Sequence, residues 1–158
     1  MNTYDPQKAA RVWQRVQEHS ESKPRDLPGK LREMIMNEWL CAASYISLAR
    51  RMGQREAAAL QKLAREEQNH CSCLRGIYHL ITGEDAPSRW PQPGAEAPEV
   101  TLRRCYGSHM RSLKEYEAIS QDPEYGPVFA RLAHQERDQC RGVLEVIGSV
   151  GKPGSQKR

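Results

Sequence analysis

A nine-residue stretch that occurs twice constrains the fold of this 158-residue chain more than anything else in it. LAREEQNHC, from Leu63 to Cys71, returns 69 residues later as LAHQERDQC, from Leu132 to Cys140. The repeat extends upstream, because Glu38 and Tyr45 have counterparts 71 residues on in His109 and Tyr116. Two similar halves fold alike, and the apolar residues of these segments recur at helical spacing. Each half is therefore expected to form a pair of helices, and no strand-like alternation competes with that reading.

Breaker residues divide the chain accordingly. The segment from about Asp5 to Glu18 carries Ala9, Val12, Trp13 and Val16 at helical spacing, with Asp5-Pro6 as cap and first turn, and predicts a short outer helix. SESKPRDLPGK then interrupts the chain. The first bundle helix is expected from about Leu31 to Met52, with Gly53 as its C-cap, and the second from about Arg55 to Thr82, stopped by Gly83. From Gly83 to Pro98, four prolines and two glycines in sixteen residues forbid a helix and suit a long connection between the halves. Helices from about Glu99 to Ser120 and from about Pro127 to Val150 follow, separated by the turn signal QDPEYGP. Residues 1–28 are thus read as an N-terminal helix and linker, 29–151 as an all-α four-helix bundle, and 152–158 as a flexible tail.

Each of the four bundle segments brings a polar residue or pair inward. Glu67 and His70 lie one turn apart on one helix face, and so do Glu136 and Gln139. Bundles that hold two metal ions between carboxylates take a Glu from each of two helices and a Glu-x-x-His pair from each of the other two. The first half of this chain meets the pattern with Glu38, Glu67 and His70. In the second half Glu136 remains, His109 stands where a Glu is expected, and Gln139 stands where a His is expected. The residue types follow from the chemistry. Carboxylates neutralise and bridge cations, and neutral imidazoles complete the coordination while leaving positions open for dioxygen or peroxide. A lone buried carboxylate costs several kcal/mol or takes up a proton, whereas acids gathered around cations compensate one another.

Glu38 interrupts the apolar run MIMNEWLCAASYISLA, where a wet face is hard to place, so it too is read as inward-facing. Tyr45 and Tyr116 share the faces of Glu38 and His109 and are expected to pack. Glu66 points about 100° away from Glu67 and faces solvent, while His134 and Asp138 fall off the Glu136–Gln139 stripe. Cys41 and Cys105 lie one turn from Glu38 and His109. Core packing is the expectation for both, with a thiolate beside the site as the alternative. Three carboxylates and two imidazoles can hold one metal well, or two with lower affinity.

Composition excludes several function classes. The formal charge of +4 is modest, and Lys and Arg are interspersed with Asp and Glu, which leaves no nucleic-acid footprint. No apolar run approaches the ~20 residues of a membrane span, and MNTYDPQKAARVWQ lacks the apolar core of a signal peptide. A cytoplasmic protein is the expectation. The five cysteines, Cys41, Cys71, Cys73, Cys105 and Cys140, are odd in number and form no CxxC pair, against a disulfide framework and against a zinc ribbon or rubredoxin site.

Taken together, Glu38 with Tyr45, LAREEQNHCSCLRGIYHLITGE, SLKEYEAISQDPEYGPVFARLA and Glu136 resemble the ferritin-like superfamily, and within it the rubrerythrin-type domains, over about Leu31 to Val150. The resemblance implies a dinuclear iron centre, with manganese or zinc as other metals, that reduces peroxide or oxidises ferrous iron, often in a homodimer. Carried over by position, its ligands are Glu38, Glu67, His70 and Glu136, with His109 and Gln139 as altered residues in the two remaining places. Glu67 and Glu136 would be the bridging, catalytic carboxylates. Without CxxC pairs for a rubredoxin-like domain, a peroxidase of this type needs an external electron donor. Two alternatives follow from the altered half: a non-catalytic ferritin-like scaffold acting in protein interaction, and a single-metal protein, of zinc type, built on His70, His109 and two acids.

Overall fold

The computed structural model describes residues 27–150 together with Gln7, Arg11 and Gln14. Among the described residues of the chain run four α-helices, α1 (Leu27–Ala49), α2 (Gln54–Thr82), α3 (Pro98–Ile119) and α4 (Gly126–Val150), with no strand. The expected all-α bundle of four helices is what forms. Helix α1 packs chiefly on α2 and α3 on α4, and lesser contacts join α2 to α4 and α1 to α3. The outer-helix residues Ala9, Val12, Trp13 and Val16, most of the expected linker and the tail 152–158 lie outside the described residues. None of the described helices is long and apolar enough to cross a membrane.

Local chemistry explains the helix ends, and it corrects three expectations. Helix α1 starts at Leu27, four residues earlier than the Pro28-Gly29 dipeptide suggests. Proline is tolerated in a first helical turn, where its missing N–H has no intrahelical partner to lose. At the other end α1 stops at Ala49, and Gly53 does not cap it. Gly53 is the N-cap of α2, extended at φ −63° and ψ 162°, and its carbonyl accepts the Ala57 N–H at 2.8 Å. Gly83 does take the expected C-cap role. It adopts φ 74°, a left-handed conformation open to glycine, and donates its N–H to the His79 carbonyl at 2.8 Å. Pro98, expected in the connection, is the first residue of α3.

Between α3 and α4 the turn is set by Asp122. Its Oδ1 accepts the backbone N–H groups of Glu124 and Tyr125, each at 2.8 Å. Gly126 follows because a Cβ there would lie 2.4 Å from the Ser120 carbonyl oxygen.

The interior consists of two apolar clusters with a polar layer between them. One gathers Leu31, Met34, Ile35, Leu74, Ile77, Phe129 and Leu132. The other gathers Cys41, Tyr45, Leu48, Leu60, Leu102, Cys105 and Val143. Fully burying a side chain such as Leu31, Leu60 or Leu74 contributes about 1.5–3 kcal/mol, so these clusters hold the helices together. Along every helix the chain passes from one cluster to the other through polar residues: Glu38 on α1, Glu67 and His70 on α2, His109 on α3, and Glu136 and Gln139 on α4.

Candidate metal centre

All six of these residues are at most 2% exposed. Helical periodicity accounts for this: each polar residue stands three or four positions from an apolar one on the buried stripe, so it is carried inward with its neighbours. The centre takes its side chains from all four helices.

His70 sits at the middle of the acids. Its Nδ1 lies 3.1 Å from Glu136 Oε1 and 3.4 Å from Glu38 Oε2, while Nε2 lies 3.0 Å from Gln135 Oε1. Glu38 Oε1 accepts the hydroxyls of Tyr116 and, at 3.2 Å, Ser112. His109 Nδ1 meets Glu136 Oε2 at 2.8 Å, and its Nε2 meets Tyr45 Oη at 2.7 Å and Glu67 Oε1 at 3.6 Å. Glu67 differs from the others. It is 0% exposed, and neither of its oxygens has a hydrogen-bond partner among the described residues.

The ionisation states follow from this geometry. Burial works against a charged Glu38, but the adjacent His70 imidazole and its positive charge, the neighbouring Glu67 carboxyl and the Tyr116 hydroxyl outweigh it and hold the carboxyl at about 2. Burial also works against a charged His70, yet its bond to Glu136 and the Glu38 carboxylate beside it raise it to about 10. Burial and the negative charges of Glu38 and Glu136 push Glu67 well above the ordinary carboxyl range. His109 is raised by its bond to Glu136 against the effect of burial. Glu38 is therefore an ionised carboxylate paired with an imidazolium at His70, beside a Glu67 that holds a proton more tightly than an ordinary carboxyl.

These residues fit a cation. Single ligand atoms of Glu38, Glu67, His70 and Glu136 all lie within 4.8 Å of one another. Oxygen and nitrogen ligands about 2.1 Å from one first-row metal stand about 3–4 Å apart, so the side chains would close around a cation by moving inward. The unpartnered oxygens of Glu67, and Glu38 Oε2, are the orphaned acceptors that a cation would satisfy. His70 is oriented for it, since Nε2–H donating to Gln135 leaves Nδ1 as the ligating atom, where the metal-free protein holds a proton instead.

The sequence-derived candidates divide here. Glu38, Glu67, His70 and Glu136 come together in one group. His109 lies beside that group, bonded to Glu136. Gln139 is buried, and both of its amide atoms lack hydrogen-bond partners among the described residues. His134 and Asp138 are exposed and pair with each other at 3.7 Å, outside the centre, and Glu66 pairs with Lys62 at 3.8 Å. The expectation that Tyr45 and Tyr116 merely pack is corrected, because both hydroxyls bond to centre residues. Two contributors escaped the sequence reading. Ser112 shares the His109–Tyr116 stripe and could have been found by its spacing. Gln135 is adjacent to Glu136 and about 100° off its stripe, so nothing in the spacing marks it.

A surface cleft of about 220 Å³, lined by Glu66, Asn69, His70, Gln135 and Asp138, opens onto this edge of the centre. Comparison of the chain with protein-family models, with curated proteins and with solved structures finds no match.

Proposed function

We propose that this chain is a ferritin-like metalloprotein whose bundle carries a dinuclear, iron-type centre that reduces peroxide or oxidises ferrous iron. The observation that carries the reading is the buried group of Glu38, Glu67, His70 and Glu136 with Glu67 unsatisfied. Four inward ionisable groups cost stability unless something compensates them, and a cation does so directly. Carboxylate and imidazole donors suit iron or manganese, with zinc the non-redox competitor.

The chain path supports the ferritin-like part of the proposal. Lys30, near the start of α1, pairs with Glu115 near the end of α3 at 4.0 Å, and Arg51, just beyond α1, donates to the Glu96 carbonyl before α3. Residues 83–97 thus run from the end of α2 back to the end at which α2 began, as a long crossover does. In this reading Glu136, which faces both His70 and His109, and Glu67, which faces His109 and shares a ligand group with Glu38 and His70, would be the carboxylates that hold both metals. Iron held there would supply the change of oxidation state by which dioxygen or peroxide accepts electrons. The protein's own residues keep the site dry, orient His70 through Gln135 and hold Glu38 through Tyr116 and Ser112. Reduction of peroxide to two waters takes two electrons and two protons, with the electrons coming from a donor outside the bundle.

The test is elemental analysis of protein purified without chelators, with optical spectra after anaerobic addition of ferrous iron and then of air or peroxide. Bound iron, a new absorption band on oxidation, and loss of metal in His70→Ala and Glu67→Ala are the expected results. Metal content unchanged in both variants would sink the proposal. One tightly held, redox-silent zinc would instead establish a single-metal protein, for which the four-residue group among the described residues offers Glu38, Glu67, His70 and Glu136 in place of the expected set with His109.

A further inference from the structure

A second group of ligand atoms lies beside the first and contains a sulfur. Cys41, Glu67 and His109 each offer an atom within 4.8 Å of the others, and all three side chains are buried. Glu67 belongs to both groups. It has two unpartnered oxygens, enough to give one to each of two cations.

We propose that the second metal position of this chain is a mixed sulfur, nitrogen and oxygen site formed by Cys41, His109 and Glu67, with Glu67 bridging to the first position. This deepens the metalloprotein reading and rests on it.

The orientation of His109 supports the assignment. Glu136 Oε2 lies 2.8 Å from Nδ1, so it takes the Nδ1–H bond and leaves Nε2 with a free lone pair. That is the arrangement in which a carboxylate orients an imidazole toward a metal through its other nitrogen. Nε2 is the atom that faces Glu67, at 3.6 Å. In the metal-free protein Tyr45 Oη fills its direction at 2.7 Å.

Gln139 is a second, independent observation. It is 1% exposed with neither amide atom partnered. On α4 it stands between Glu136 and Val143, and Val143 packs in the cluster that contains Cys41 and Cys105. Residues at i and i+4 share a helix face, which directs Gln139 toward that same layer and makes its carbonyl oxygen the natural fourth donor. Cys105 neighbours Cys41, and the interaction between the two thiols, together with burial, raises Cys41 well above its ordinary value, so ligation there requires the cation to displace the Cys41 proton. A thiolate and an imidazole select a borderline divalent cation, ferrous iron or zinc, whereas the neighbouring position is built from carboxylates and one imidazole. The two positions would thus hold unlike metal environments within one centre.

The experiment is an anaerobic titration of the metal-free, fully reduced chain with cobalt(II), followed by near-ultraviolet absorption and by cobalt content after desalting. About two cobalt ions per chain are expected, the later one bringing a thiolate-to-cobalt charge-transfer band. In Cys41→Ser that band should vanish and about one cobalt should remain, while Cys105→Ser should keep the band. Cobalt bound by the wild-type chain without a charge-transfer band overturns the inference and leaves the first metal position standing. So does a band that survives in Cys41→Ser. No cobalt bound at all overturns both this inference and the metalloprotein proposal. The wild-type spectrum decides even if a variant does not fold.

Discussion

Replacing Glu67 by Gln should change the sign of its effect on stability according to whether metal is present. In the metal-free protein Glu67 is fully buried and neither carboxylate oxygen is paired. Burial and the nearby charges of Glu38 and Glu136 therefore raise it well above its ordinary value of 4.5. Every tenfold weakening of the acid costs the native state about 1.4 kcal/mol at pH values above the raised value. The amide carries no such cost and can donate to Glu38, so the metal-free variant should gain on the order of 1 kcal/mol or more, a rise of about 2–4 °C in Tm for a chain of this size. With metal the order reverses. A cation at a hundred times its Kd stabilises the native state by about 2.7 kcal/mol, or roughly 5–11 °C, and Glu67→Gln should forfeit most of that shift. The assay is thermal unfolding of both proteins, each with chelator and with excess ferrous iron under anaerobic conditions. The pH dependence supplies a second reading. A carboxyl raised in the native state binds more protons there than in the unfolded chain, so stability falls as pH rises above 4.5 toward the raised value. As pH rises above 4.5 the metal-free wild type should lose Tm faster than the variant. A variant that is less stable without metal and retains the full metal-induced shift would refute the reasoning.

Further predictions concern the partners of the acids. Tyr116→Phe removes one of two hydroxyls from an ionised Glu38 while keeping the ring that packs on Phe129, so it should cost about 1.5–3 kcal/mol and lower Tm by about 3–12 °C. An unchanged Tm would mean that Glu38 is not held as an anion by that hydroxyl. Because His70 is raised to about 10, it keeps at neutral pH a proton that a cation must displace, and the raised Glu67 holds its own proton more tightly than an ordinary carboxyl. Binding of the first cation should release the His70 proton, with any held by Glu67 in addition, and affinity should rise with pH, as calorimetry in buffers of different ionisation enthalpy would measure. Binding without proton release would show that neither group ligates.

The sequence alone determined the four helices and the faces they turn inward. A repeat of 69 to 71 residues, apolar residues at helical spacing and breakers at Gly83 and Asp122-Pro123 suffice for that, because a helix face is a local property of spacing. The same logic brought Glu38, Glu67, His70 and Glu136 to the interior, where they form one group. Helix ends were less legible. A glycine between two helices serves equally as a C-cap or an N-cap until backbone angles are known, and Gly53 proved to be the latter.

Tertiary structure alone decided which inward residues meet. Tyr45 with His109, Tyr116 with Glu38, and His70 with Gln135 are pairs 64, 78 and 65 residues apart. Whether a hydroxyl packs or bonds depends on the axial offset between two helices and on side-chain rotamers, neither of which spacing within one helix specifies. The same offset puts Cys41 level with Glu67 and His109, which turns a residue expected in the core into a candidate ligand.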